Sequence, residues 1–159
     1  MEGAVLFGIE PSTINIRKAK YTIGESIIDT WKEKIHSEKG EKFFYKELGQ
    51  WMCRNCFGKY IEINQDLKYG EKISKEAYIF KDQKNVFMSF YKTKKPDPIF
   101  TFEEGNIKIG ECQLNIEKDY DNLEDRIIET TMKFGGTFID VTAVHLKSGK
   151  SVKTSLTFD

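Results

Sequence analysis

The stretch from Arg126 to Phe158, RIIETTMKFGGTFIDVTAVHLKSGKSVKTSLTF, decides the fold class of this chain. Apolar and polar side chains alternate through it with a period of two, the side-chain period of a pleated strand. Strands are predicted at 127–134, 137–146 and 152–158. Gly135-Gly136 is predicted to form a two-residue turn with positive φ, and 147–150 the next tight turn. The middle strand is apolar on both faces, which predicts a central strand covered on both sides.

Five more strands are predicted upstream, at 20–28, 57–63, 73–80, 86–91 and 107–116, with Gly110 as a bulge. Residues 41–52 have apolar spacings near three and four, which favours a short amphipathic helix or a loop cluster. About eight strands separated by turn signals predict a mainly all-β protein, an antiparallel β-sandwich. A short helical remnant is expected at the N-terminus, and a partly helical insertion near 29–55.

Composition narrows the classes of function. The chain has 159 residues, 25 basic and 25 acidic side chains and a formal net charge of zero. Nucleic-acid and anionic-membrane binders usually carry a basic excess, so neither partner is expected. No apolar run is long enough to span a bilayer. Three cysteines do not make a disulfide framework, and a reducing, cytoplasmic setting is expected.

Four pieces of the C-terminal stretch occur in an order and spacing similar to those of a known β-sandwich: Ile128-Glu129-Thr130-Thr131-Met132, Asp140-Val141-Thr142-Ala143, Ser148-Gly149-Lys150 and Thr154 to Asp159. This sandwich is the substrate-binding domain of the seventy-kilodalton heat-shock chaperone family. Two N-terminal pieces resemble that family's divergent subfamily twelve: Gly8-Ile9-Glu10-Pro11-Ser12-Thr13-Ile14 and Arg17-Lys18-Ala19-Lys20-Tyr21-Thr22-Ile23-Gly24. The resemblance implies that 1–16 end a nucleotide-binding domain and its linker, and that 17–159 form a substrate-binding-like sandwich.

The resemblance also implies a function. A chaperone-like domain of this kind would bind unfolded or extended peptides as part of a stress response. An ATPase domain in the full-length protein, loaded with ATP and Mg²⁺, would be a further partner and would control binding. No enzyme activity and no cofactor are expected in the chain itself. The groove carried over by position comprises Ile28, Tyr78, Phe80, Val86, Phe87 and Met88, while Glu25 stands where an apolar groove residue is usual.

Two other readings remain open. The sandwich could be a protein–protein interaction module that uses the 29–55 insertion, with Trp31, Phe43, Phe44 and Trp51 as its contact surface. Cys53-Arg54-Asn55-Cys56 could be half of a zinc site or a redox pair. The remaining candidate zinc ligands are Cys112, His36 and His145, and no second pair at ligand spacing occurs. The expectation is therefore no metal, with Cys53 and Cys56 as buried thiols, His36 solvated and His145 hydrogen-bonded.

Overall fold

A computed structural model describes residues 16–157. The predicted N-terminal helical remnant and the first part of the predicted linker lie outside the described residues, as does Phe158. Within 16–157 the chain forms one α-helical turn, α1 (Glu33–His36), one 3-10 turn (Leu123–Asp125) and eleven strands. The strands are β1 (Ile16–Lys18), β2 (Thr22–Thr30), β3 (Glu41–Tyr45), β4 (Gln50–Ile61), β5 (Asp66–Lys68), β6 (Lys72–Tyr78), β7 (Asn85–Thr93), β8 (Ile107–Asn115), β9 (Ile127–Phe134), β10 (Phe138–His145) and β11 (Ser151–Thr157).

The strands form two main sheets and a small ribbon. One sheet has the order β11-β10-β9-β6, the other has the order β3-β4-β2-β7-β8, and β1 pairs with β5. All these pairings are antiparallel. The prediction of a mainly all-β antiparallel sandwich is confirmed. Each of the eight predicted strands overlaps an observed one, and β1, β3 and β5 are additional.

The main core lies between the two large sheets. Alternate side chains of β9 and β10 are buried there, among them Met132, Phe134, Ile139 and Val141, each at most 1% exposed. Gly110 stands at a register shift between β7 and β8, so the predicted bulge is confirmed. A Cβ at this position would lie 2.4 Å from Leu156 Cδ2 on the facing sheet. The absence of a side chain therefore allows the close approach of Leu156.

Three local predictions from the sequence are wrong. Gly135 and Gly136 do not adopt a positive φ, although Gly149 in the following turn does, at +77°. The outer face of β10 is open rather than covered, since Phe138 is 52% exposed and Leu146, directly after the strand, is 46% exposed. No helix forms at 41–52, which is a hairpin of β3 and the start of β4. A turn with Gly49 at φ +63° separates these strands, and the apparent helical spacing of 41–52 runs across that turn.

The insertion consists of residues 31–49, between β2 and β4. It contains α1 and β3, so it is partly helical as predicted. The N-terminal end of α1 has no side-chain cap bond, and a single helical turn is unstable by itself. Contacts with the rest of the chain must therefore hold this segment in place. In the described part of the chain, no helix has the length and apolar character needed to cross a membrane.

Candidate functional site

The five-stranded sheet opens between β2 and β7. The two strands pair only where Thr22–Glu25 face Phe90–Thr93. Residues 26–30 of β2 continue alongside β4, and residues 85–89 of β7 continue alongside β8, without pairing with each other. Neighbouring strands that part within one sheet leave main-chain groups available to an added strand.

Four of the six predicted groove residues lie on β2 and β7, the two strands that flank this opening, and Tyr78 and Phe80 lie at the end of β6 and just after it. Ile28 is on the part of β2 that does not pair with β7, and it is 38% exposed. Phe87 is on the part of β7 that does not pair with β2, and it is 67% exposed. Tyr78 ends β6 and is 56% exposed, and Phe80 follows it in the loop that leads to β7. Val86 and Met88 point inward and belong to the main core, at 7% and 3% exposed. The role of these six residues in binding stays a prediction.

The insertion packs across one end of the opening. Phe43 and Tyr45 of β3 contact Phe80 edge-on, with ring centroids 6.3 and 4.9 Å apart. The insertion therefore starts at the end of β2 and reaches the loop in front of β7, which is the other side of the gap. Aromatic edge contacts of this type stabilise a packed arrangement by about 0.5–1.5 kcal/mol each.

An ion pair between exposed Glu47 and buried Arg126 fixes the tip of the hairpin. Glu47, in the turn between β3 and β4, accepts hydrogen bonds from both terminal nitrogens of Arg126, one of them at 2.9 Å. The Arg126 side chain is fully buried and also donates to the Ile79 carbonyl. Hydrogen bonds from Arg126 and then from Tyr45 lower the pKa of Glu47 to about 2. The insertion is thus tied to the segment that begins β9.

Glu25 is a carboxyl group placed among core side chains where β2 and β7 separate. It is opposite Phe90, and Tyr60 Oη donates to its Oε1 at 2.9 Å. Burial raises the pKa of Glu25 to about 7, although the hydrogen bond from Tyr60 acts in the opposite direction. The group is therefore partly protonated near neutral pH, and a proton on Glu25 removes a buried negative charge at the inner end of the gap.

A second cluster of polar side chains lies beneath the insertion. His36, Cys53 and Cys56 are 1%, 0% and 3% exposed, and their ligand atoms lie within 4.8 Å of one another. Burial, followed by the neighbouring Cys53, raises the pKa of Cys56 to about 12. Cys53 and Cys56 on β4 are buried, as expected, in the small core beneath the insertion, while the expectation of a solvated His36 is wrong. His145 is hydrogen-bonded to Ser148 and to the Asp125 carbonyl as predicted, with both distances 2.7 Å.

Sequence reasoning missed the contacts that depend on distant residues. Phe43 and Tyr45 over Phe80, and Glu47 with Arg126, join positions that no local pattern connects. The one available signal at the thiol cluster was Cys53-x-x-Cys56, a spacing that puts the two side chains on opposite faces of a regular strand. A bulge reverses this, because Asn55 adopts a left-handed φ of 57° and the register between β2 and β4 shifts there.

Sequence comparison shows which known proteins the chain is similar to. No protein-family model matches it. It is 30% identical over 161 residues to heat shock 70 kDa protein 12A of Mus musculus, and 29% identical over 161 residues to the Homo sapiens protein of the same name. It is 28% identical over 167 residues to heat shock 70 kDa protein 12B of Homo sapiens.

These alignments use 99% of this chain but only 23% of each 12A protein and 24% of 12B. The chain therefore spans about a quarter of the length of the curated relatives it matches. The similarity extends over nearly the whole chain, and the relatives belong to the group that the N-terminal motifs resemble. Over nearly its whole length the chain is therefore similar to the 12A and 12B proteins of the seventy-kilodalton heat-shock family.

Proposed function

We propose that this chain binds extended polypeptide segments at the opening between β2 and β7. The observation that carries the proposal is the short register of this strand pair, which ends at Glu25 and Phe90. A guest chain in an extended conformation can use the main-chain groups of diverging strands, and apolar side chains beside them add affinity and selectivity. Ile28 and Phe87 supply exposed apolar surface on the two sides of the opening.

The inserted hairpin limits access to this site. Phe43 and Tyr45 cover Phe80, and Glu47 holds the hairpin tip to Arg126. A guest that contacts Phe80 must therefore displace these rings, while a guest that contacts Phe87 does not. In a longer parent protein, an ATPase domain would be the natural source of such displacement, as in the chaperone family that the chain resembles.

Binding of a fluorescent, apolar heptapeptide to the 159-residue chain, followed by anisotropy, tests the proposal. We expect saturable binding that Phe87→Ala weakens by about tenfold or more, since burying a Phe side chain contributes about 1.5–3 kcal/mol. Phe138→Ala is the matched control, because Phe138 is 52% exposed on the opposite sheet and should leave binding unchanged. Tyr45→Ala should strengthen binding by uncovering Phe80.

Absence of binding by a folded parent chain, or equal losses in Phe87→Ala and Phe138→Ala, would contradict the proposal. The first of these outcomes would favour the second candidate function, a protein–protein interaction module. One observation supports that candidate: Phe44 and Trp51 stack edge-on at 5.3 Å on the hairpin and are 49% and 51% exposed. A dedicated module would bind one folded partner through these rings and would not accept unrelated peptides.

A further inference from the structure

The cluster of His36, Cys53 and Cys56 has the composition of a metal site. It offers two sulfur ligands and one imidazole, the ligand types that zinc takes in proteins. All three side chains are buried, and Ile27, Trp31 and Phe100 pack around them. Both cysteines are free thiols, so no disulfide occupies the sulfur atoms.

The separations suit a tetrahedral ion. Zn–S bonds of about 2.3 Å and Zn–N bonds of about 2.0 Å give N···S distances of about 3.5 Å and S···S distances of about 3.8 Å in a tetrahedral site. His36 Nε2 lies 3.8 Å from Cys56 Sγ, and the three ligand atoms lie within 4.8 Å of one another. Inward shifts of the side chains by a fraction of an ångström would complete the geometry.

The backbone brings these ligands together by a specific irregularity. Cys53 and Cys56 are both on β4, and the bulge at Arg54 and Asn55 turns both side chains toward α1. Gly40 lets the chain pass close by, since a Cβ there would lie 3.0 Å from Cys53 Sγ and 2.6 Å from the His36 carbonyl oxygen. A metal would connect α1 directly to β4. A four-residue helix without a side-chain cap bond is unstable by itself, so a metal that connects it to β4 would stabilise it.

We propose that His36, Cys53 and Cys56 bind a Zn²⁺ ion, with a water molecule or another small ligand in the fourth position. The ion displaces the two thiol protons, which pass to solvent, and bonds to His36 Nε2. In the metal-free chain the Lys32 amide donates to His36 Nδ1 at 2.9 Å, so the neutral ring carries its proton on Nε2. Zinc binding moves that proton to Nδ1 and breaks the hydrogen bond from Lys32.

This proton shift gives the site a signature of its own. Histidine nitrogen NMR of the 159-residue chain should show His36 protonated on Nε2 without zinc and on Nδ1 with zinc. His145 is the internal control, because its two nitrogens remain bonded to Ser148 and to the Asp125 carbonyl in both states. A simple structural role for His36 would leave its tautomer unchanged by zinc.

Titration of the reduced parent chain with Co²⁺, as a spectroscopic substitute for zinc, is the first experiment. We expect one equivalent to give the visible bands of a tetrahedral ion and a sulfur-to-cobalt charge-transfer band, both abolished by one equivalent of Zn²⁺. Cys53→Ser, Cys56→Ser and His36→Gln should each lower zinc affinity by more than about 100-fold, since loss of an outer-shell partner alone lowers it by 10–100-fold. Cys112→Ser should retain the parent affinity, because Cys112 packs against the main core.

The spectrum of the cobalt-loaded parent chain tests the metal site even where a ligand variant fails to fold. A charge-transfer band that Zn²⁺ removes supports the site. Its absence in the folded, reduced parent chain would overturn the proposal, as would zinc affinity that is unaltered in Cys53→Ser. Formation of a Cys53–Cys56 disulfide in air that zinc does not prevent would also count against it.

Discussion

The two-sheet sandwich and the 31–49 insertion are stabilised in different ways. Between the sheets, long aliphatic and aromatic side chains from both layers form a continuous core. Beneath the insertion, the described residues form a small buried cluster of Cys53, Cys56 and Phe100, joined by Ile27 and Trp31. The insertion relies instead on an ion pair, aromatic edge contacts and cation–π contacts of Lys42 with Trp31 and Trp51. The comparison shows that apolar burial fixes the sandwich, while a few specific contacts fix the insertion.

Removing a core side chain should show the largest effect. Ile139→Ala removes a fully buried side chain from central strand β10 and should lower the free energy of unfolding by about 2–5 kcal/mol. Urea denaturation followed by circular dichroism measures this change. Phe44→Ala, on the insertion and 49% exposed, is the control and should lower stability by no more than about 1.5 kcal/mol, the upper value for its edge contact with Trp51. Similar losses in the two variants would mean that the two regions are stabilised alike.

The second prediction concerns the carboxyl group inside the sandwich. The pKa of Glu25 rises from 4.5 to about 7 on folding, so the folded chain holds a proton that the unfolded chain releases. The free energy of unfolding should therefore fall as pH rises from about 4.5 to about 7, by about 3 kcal/mol in all, and stay level above that range. Glu25→Gln should remove this decline and be more stable than the parent at pH 8.

Denaturation at pH 4 and at pH 8 measures the difference. Glu104→Gln, in an exposed loop, is the control and should follow the parent at both pH values. A Glu25→Gln chain that loses stability between pH 4 and pH 8 as steeply as the parent would show that Glu25 is ionised in the fold.

The smallest effect is expected at the hairpin tip. The pKa of Glu47 is lowered to about 2 by Arg126, so this ion pair stabilises the docked hairpin above about pH 4.5 and is lost as pH falls toward 2. Glu47→Gln should speed amide hydrogen exchange in β3 and the first residues of β4 at pH 7 and leave exchange in β9–β11 nearly unchanged. Glu117→Gln, which breaks the exposed pair with Lys150, is the control. Faster exchange throughout the sandwich would show that the hairpin and the core open together.

Sequence patterns predicted the sandwich well because its strands obey a simple alternation. Ile139, Val141 and Ala143 point inward as the period of two requires, and Gly110 marks a real bulge. The same reasoning gave a helix or loop for β3, because Phe43, Phe44 and Tyr45 are apolar on both faces and alternation is lost. The two faces of β3 make different contacts, since Phe43 and Tyr45 pack against Phe80 and Phe44 packs against Trp51.

The candidate sites were harder to predict for a physical reason. The opening between β2 and β7 depends on where two strands stop pairing, which no single strand encodes. The cluster of His36, Cys53 and Cys56 depends on a bulge at Asn55 and on a helical turn that is distant in sequence. His36, which ends this turn, lies seventeen positions before Cys53. His36 occurs among charged residues, and a polar neighbourhood in sequence says nothing of the Trp31 and Phe100 rings that enclose it.

The β1–β5 ribbon has a mechanical consequence. Arg17 donates to the carbonyls of Gly135 and Gly136, Lys18 pairs with Asp66, and Ala19 exchanges main-chain bonds with Gln65 and Asn64. Tension applied through the residues before Ile16 would load these bonds before it reached β2. Because Arg17 is hydrogen-bonded to the loop that joins β9 to β10, part of that force would pass directly into the four-stranded sheet. A pull from the N-terminal side would therefore act on both layers of the sandwich at once.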